Sequence, residues 1–138
     1  MANEDQMMPP ARPRLLLIDD EPALAAYLAD AAQLSHYAPQ IASDDVDFRG
    51  KFAAQRPHMV AIDLGMPGMD GVELLRFLAA EAFDGPVLII SGFDRRVLES
   101  AFRLGQALGL TMAGPLEKPT RLDEIEQLLM RLRPQLVP

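Results

Sequence analysis

Residues 14–34 read RLLLIDDEPALAAYLADAAQL. Leu15 to Ile18 are all aliphatic. An unbroken apolar run is what a strand covered on both faces needs, whereas a half-exposed strand alternates. The run ends in Asp19, Asp20 and Glu21, followed by Pro22. Acids at the cap and first turn, with an early proline, open a helix. Leu24, Tyr27, Leu28, Ala31 and Leu34 then fall on one stripe at helical spacing. Buried strand, polar turn and amphipathic helix, in that order, make one unit of a parallel sheet.

The unit repeats along the chain. Strand-like runs occupy Arg14–Asp19, Tyr37–Ser43, His58–Asp63, Pro86–Ser91 and Thr111–Leu116, and helical patterns occupy 22–34, 45–56, 71–82, 94–108 and 120–132. In the second helix only Phe48 and Phe52 mark a face; Pro57 closes it, and Gly109 closes the fourth. LLLI (15–18), MVAI (59–62) and VLII (87–90) are continuously apolar, so strands one, three and four are central. Strands two and five carry Pro39 and Pro115. Proline cannot donate to a ladder, which assigns them to the edges. The expected fold is therefore an α/β, doubly wound, five-stranded parallel sheet of order 2-1-3-4-5, a flavodoxin-like three-layer sandwich. Met1–Pro13, polar and rich in proline, reads as a disordered leader, residues 14–132 as the domain, and 133–138 as a tail.

Composition narrows the chemistry. The 138 residues suit one domain, and a 49% hydrophobic share supplies a core. With no cysteine, thiol nucleophiles, disulfides and zinc–thiolate sites are excluded. No signal-peptide pattern or membrane-length apolar run occurs, and a cytoplasmic location is expected. A net charge of −7 speaks against direct nucleic-acid binding and suits a cation site.

In a sheet of this order the crevice lies at the carboxyl ends of the strands. Strand one ends in Asp19, Asp20 and Glu21, strand three in Asp63, strand four in Ser91 and Gly92, and strand five near Lys118 and Pro119. Each has a plain structural reading. The acids before Pro22 can cap a helix, DLGMPGMDG (63–71) can be only a turn, Ser91 can cap the next helix, and Lys118 can be a solvated charge. His36 and His58 lack ligand spacing and read as structural or surface residues. The conjunction of acid pair, acid, hydroxyl and lysine at successive strand ends is harder to reduce to structure. Clustered carboxylates repel unless a cation intervenes, hard oxygens suit magnesium, and a lysine beside a hydroxyl suits an oxyanion.

With these motifs in view, the sequence resembles the receiver domains of two-component response regulators. LLLIDDEP, DLGMPGMDG, PVLIISG and LEKP carry the resemblance, which covers about residues 14–132. It implies that Asp63 accepts a phosphoryl group from a sensor histidine kinase or histidine phosphotransfer protein. Asp20 and Asp63 would hold Mg2+ directly, Asp19 through water, with the backbone carbonyl of Gly65 as a further ligand. Lys118 and Ser91 would contact the phosphoryl oxygens, and the Lys118–Pro119 bond would be cis. A shape change would then be read by an output partner on the face of the fourth helix, fifth strand and fifth helix, where some relatives also form homodimers.

Two departures stand out. The family usually has Tyr or Phe three positions before the lysine; here that position is Pro115. Phe93 and Phe102 are the candidates to take over part of the partner surface, unless they are core. Gly65 stands where many relatives carry a side chain. The same glycine counts against a metal-dependent phosphatase, which wants a second carboxylate two residues after the nucleophile. A phosphorylation-independent interaction module is the other alternative, and the complete residue set counts against it. The expected role is a signalling switch with autophosphorylation and autodephosphorylation chemistry, not a turnover enzyme.

Overall fold

The structure, a computed structural model, describes residues 12–19, 21–64, 71–92, 95–118 and 121–135. Its elements are β1 (Arg14–Ile18), α1 (Pro22–Leu34), β2 (Ala38–Ala42), α2 (Asp45–Ala54), β3 (Met59–Asp63), α3 (Gly71–Ala80), β4 (Pro86–Ser91), α4 (Arg95–Ala107), β5 (Thr111–Glu117), α5 (Leu122–Leu132) and a 3-10 turn (Arg133–Gln135). The strands form one five-stranded sheet in the order β2-β1-β3-β4-β5, and every pair is parallel. The proline-bearing strands lie at its two edges, as a missing ladder donor requires.

Alternate residues of the central strands feed two cores. Leu16, Ile18, Val60, Ile62, Val87 and Ile89 pack with residues of α2, α3 and α4. Leu15, Leu17, Met59, Ala61, Leu88 and Ile90 pack with residues of α1 and α5. Opposite side-chain directions along each strand therefore cover both sheet faces. Phe48 and Phe52 are buried, and Phe52 meets Phe77 and Phe83 edge-on at centroid distances of 5.3 and 5.7 Å. On the other face the buried Tyr37 hydroxyl donates to the Leu129 carbonyl at 2.7 Å, tying the start of β2 to α5. Burial pushes that phenol up to about 12.

Three details differ from the sequence reading. Leu34 is 63% exposed, although it was expected on the buried stripe of α1. That stripe runs through Ala25, Leu28, Ala31 and Ala32. Leu34 follows Leu28 by six positions and so lies about 120° around the helix from it. Glu21 holds the cap position of α1 without a side-chain cap bond. Several boundaries also move: α2 stops at Ala54, α3 at Ala80 and α4 at Ala107, while β5 runs on to Glu117. Pro115 sits inside β5 at an irregularity, where Ala113 pairs with Leu88 and Leu116 with Ile90. Gly114 there has φ +84°, and the Gly114–Pro115 bond is cis. The Lys118–Pro119 bond, Asp20, Gly65 and Phe93 lie outside the described residues.

Three helices end with the same turn. The Tyr37 N–H donates to Ala32 O at 2.9 Å after α1, Phe83 to Leu78 O at 3.0 Å after α3, and Leu110 to Gly105 O at 2.9 Å after α4. The turn needs a left-handed residue, which glycine adopts without steric cost. Only α4 has glycine there, at Gly109 (φ +87°); α1 uses His36 (φ 66°) and α3 uses Ala82 (φ 52°). Ala82→Gly therefore stabilises the fold by about 0.5–1 kcal/mol after the extra unfolded-state entropy of glycine is subtracted. Thermal unfolding reads this as a rise in Tm; an unchanged or lower Tm contradicts it.

His36 is exposed and His58 half-buried. The Arg14 backbone N–H donates to His58 Nδ1 at 2.9 Å. Burial, with the Arg14 charge second, holds this imidazole below its usual range. The folded state then binds fewer protons than the unfolded chain as pH falls below about 6.5, so His58 contributes stability above that pH and loses it through the folded pKa. Denaturant unfolding between pH ~7.5 and ~5 gives a steeper loss for the wild type than for His58→Asn, which keeps an acceptor but cannot titrate. Parallel curves exclude the assignment.

Candidate functional site

The carboxyl ends of β1, β3, β4 and β5 bring four of the predicted residues together. Asp19, Asp63 and Ser91 are buried polar side chains, and Lys118 reaches in from just after β5. Lys118 Nζ lies 3.0 Å from Asp63 Oδ2, 3.7 Å from Asp19 Oδ2 and 3.9 Å from Glu21 Oε1. Strand pairing sets this placement. Asp63 pairs with Ile90 and Ser91 with Glu117, while the Lys118 N–H donates to Ser91 O and the Leu64 N–H to Ile90 O, both at 2.9 Å. Gly92 lets the lysine pass, because a Cβ there would stand 3.2 Å from Lys118 Cβ.

Asp19 Oδ1 accepts the Glu21 N–H at 2.9 Å, so this acid does help to open α1. Its other oxygen, Oδ2, is buried and takes no hydrogen bond. Burial raises the Asp19 pKa, and the Asp63 carboxylate alongside adds to the rise, while the Glu21 N–H and Lys118 oppose it. Lys118 is no solvated charge; its side chain is only 18% exposed. Ser91 is the buried last residue of β4 and does not begin a helix. Glu21, read from the sequence as a helix-opening acid, also lies near the lysine.

Two buried carboxylates, one with an oxygen that takes no hydrogen bond, are a donor set that suits a hard cation. Among the described residues no group of three acids or histidines forms a complete cage. Magnesium does not need one, since it commonly takes one or two carboxylates and keeps its waters. The residues present fit the ion.

On fold and site the chain can be compared with known proteins. The family profile described as response regulator receiver domain matches residues 15–130. Response regulator MprA of Mycobacterium avium is 28% identical over 122 residues, which cover 88% of this chain and 53% of the relative. The chain thus spans about half the length of the relatives it matches. The signal receiver domain of a response regulator from Bermanella marisrubri superposes with a TM-score of 0.73 at 27% identity, covering 88% of this chain and 98% of that one. The chemotaxis response regulator CheY4 of Vibrio cholerae shares the fold at 20% identity, with a TM-score of 0.74 over 88% of this chain and 99% of that one. The chain belongs to the response regulator receiver domain family, a family of signalling switches in two-component systems.

Lys118 stands within 4 Å of both Asp19 and Asp63 and offsets part of their charge. Removing one partner of a buried charge pair typically costs ~3–5 kcal/mol, and the partial exposure of this lysine reduces the expected loss for Lys118→Met to about 2–3 kcal/mol in metal-free buffer. Adding Asp63→Asn recovers part of it, so the double mutant is more stable than the two single losses add up to. Additive losses in denaturant unfolding contradict the coupling.

Proposed function

We propose that this chain accepts a phosphoryl group on Asp63 from a phosphohistidine of a sensor histidine kinase or histidine phosphotransfer protein. The observation that supports this best is the Asp63 carboxylate, buried at a strand end with a fixed ammonium at 3.0 Å and a second carboxylate beside it. An Asp63 oxygen attacks phosphorus, the phosphorus–nitrogen bond breaks, and the imidazole leaves with its electron pair. Such transfer depends on position and charge neutralisation more than on covalent assistance. Lys118 supplies a positive charge to the phosphoryl oxygens, and the Ser91 hydroxyl, at the end of the neighbouring strand, donates to one of them. Asp20 and Asp63, with Asp19 through water and the Gly65 backbone carbonyl, would hold Mg2+, which would supply positive charge to the remaining phosphoryl oxygens.

The bound dianion draws Ser91 and the chain after β4 toward it. That shift biases α4 and β5 between two arrangements, which an output partner, or a second copy, reads on the face of α4, β5 and α5. Pro115 supplies no aromatic rotamer there. Phe102 is half-buried against the core on the α4 side, so only part of it is offered to a partner. Among the described residues no helix is long and apolar enough to cross a membrane. A cytoplasmic setting, where such kinases deliver phosphoryl groups, belongs to the same reading.

Incubation with acetyl phosphate and magnesium, followed by intact-mass analysis, gives a single phosphoryl adduct on the wild type and none on Asp63→Asn. Magnesium alone raises the Tm of the wild type and raises that of Asp63→Asn less. An adduct that persists in Asp63→Asn removes Asp63 from its role. If neither an adduct nor beryllofluoride binding is found, the interaction-module reading stands instead.

A further inference from the structure

The rim at the opposite end of the sheet, where the strands begin, carries a second polar concavity. A cleft of about 580 Å³ opens there, bordered by Arg14, Arg56, His58, Asp84 and Thr111. In a chain of net charge −7 it gathers two guanidinium groups and an imidazole against one carboxylate. Neither arginine forms an ion pair with a carboxylate among the described residues. Composition would favour such pairing, since acids outnumber Lys and Arg 20 to 13.

Both guanidinium groups are nevertheless held in place. The Arg56 guanidinium lies over Phe52 and Phe83, 5.1 and 5.8 Å from the ring centroids, and its Nη2 donates to Glu81 O at 2.7 Å. Arg14 donates from Nε and Nη2 to the Arg56 carbonyl at 3.3 and 2.7 Å. These bonds use only part of the five donors each guanidinium carries. Arg14 retains Nη1, and Arg56 retains Nε and Nη1. His58 accepts the Arg14 N–H at Nδ1, so its neutral ring carries the proton on Nε2 and is a donor there. The Thr111 hydroxyl adds a further donor on the β5 side. Backbone carbonyls and aromatic rings have thus ordered the side chains before any ligand arrives, which lowers the entropic cost of binding.

We propose that this cleft binds a small phosphate-bearing anion, with Arg14 and Arg56 as its charge partners and His58 and Thr111 as neutral donors. Planar guanidinium forks match the spacing of phosphate oxygens, and an anion supplies counter-charge beyond the single carboxylate of Asp84. The volume exceeds a single phosphate and accommodates a diphosphate, and the lining carries no Phe, Tyr or Trp to serve as a stacking platform for a base. The proposal is independent of phosphoryl transfer to Asp63, and its failure leaves that reading untouched.

The test is an amide NMR titration of the full chain with sodium pyrophosphate in metal-free buffer, with ionic strength held constant by sodium chloride. Without metal the rim around Asp19, Asp63 and Glu21 repels anions, so the two ends of the sheet report separately. The expected result is saturable shifts at Arg14, His58 and Thr111, with a dissociation constant near or below ~1 mM. Arg14→Gln weakens binding about tenfold, and Arg14→Lys, which keeps the charge and loses the fork, weakens it less. The spectra themselves show whether each variant is folded. Shifts that do not saturate, shifts centred on Ser91 and Lys118, or unchanged affinity in a folded Arg14→Gln each overturn the proposal.

Discussion

Asp19 and Asp63 are buried side by side at the ends of two adjacent strands, and Lys118, from a third segment, stands between them and solvent. Two carboxylates in so dry a setting repel each other, and one ammonium offsets only part of that repulsion. The raised pKa of Asp19 and its orphaned Oδ2 are the visible remainder. The site is thus held in a state that a cation or a new hydrogen-bonding partner improves. The groups that cost stability at rest are the groups that gain most when a compensating charge arrives.

Much of this was legible in the sequence because it follows from burial. Three uninterrupted apolar runs can be satisfied only by strands covered on both faces, and two prolines can sit only at edges. From that sheet order the meeting of Asp19, Asp63, Ser91 and Lys118 follows without further information. What the sequence did not disclose depends on conformation at single residues. His36 and Ala82 take left-handed turns that carry no glycine signal. Glu21 reaches Lys118 because its own N–H is fixed by Asp19, a bond that no spacing rule announces. Leu34 looked like the end of a buried stripe, and the turn geometry of the helix carries it round to solvent.

The pairing of Arg14 and Arg56 was also invisible, for a different reason. The two residues belong to separate segments and meet through a backbone carbonyl, so residue type alone predicts no contact. The result is a molecule whose sheet ends differ in sign. Carboxylates collect at the ends of β1 and β3, and guanidinium groups at their beginnings. Each strand spans this difference in about five residues, so the same two strands hold both ends at a set separation.

Pro115, in place of the aromatic that the resemblance implies, bears on how a signal would cross β5 under the proposed reading. A ring that swings between two pockets couples a hydroxyl to a surface through side-chain packing. Here the link between β4 and β5 at the site is made of backbone: the Lys118 N–H on Ser91 O, and the pairing of Ser91 with Glu117. Glu117 in turn meets Arg95, in the first turn of α4, at 2.8 Å. That ion pair is exposed, and exposed pairs contribute little on their own. Its value is geometric, because it joins the end of β5 to the start of α4 across the segment that Ser91 leads into. Upstream, the irregularity at Gly114–Pro115 removes one regular pairing between β4 and β5, and pairing resumes at Leu116 and Glu117. Under the proposed reading, a displacement at Ser91 would pass to Glu117 and Arg95 through main chain and charge.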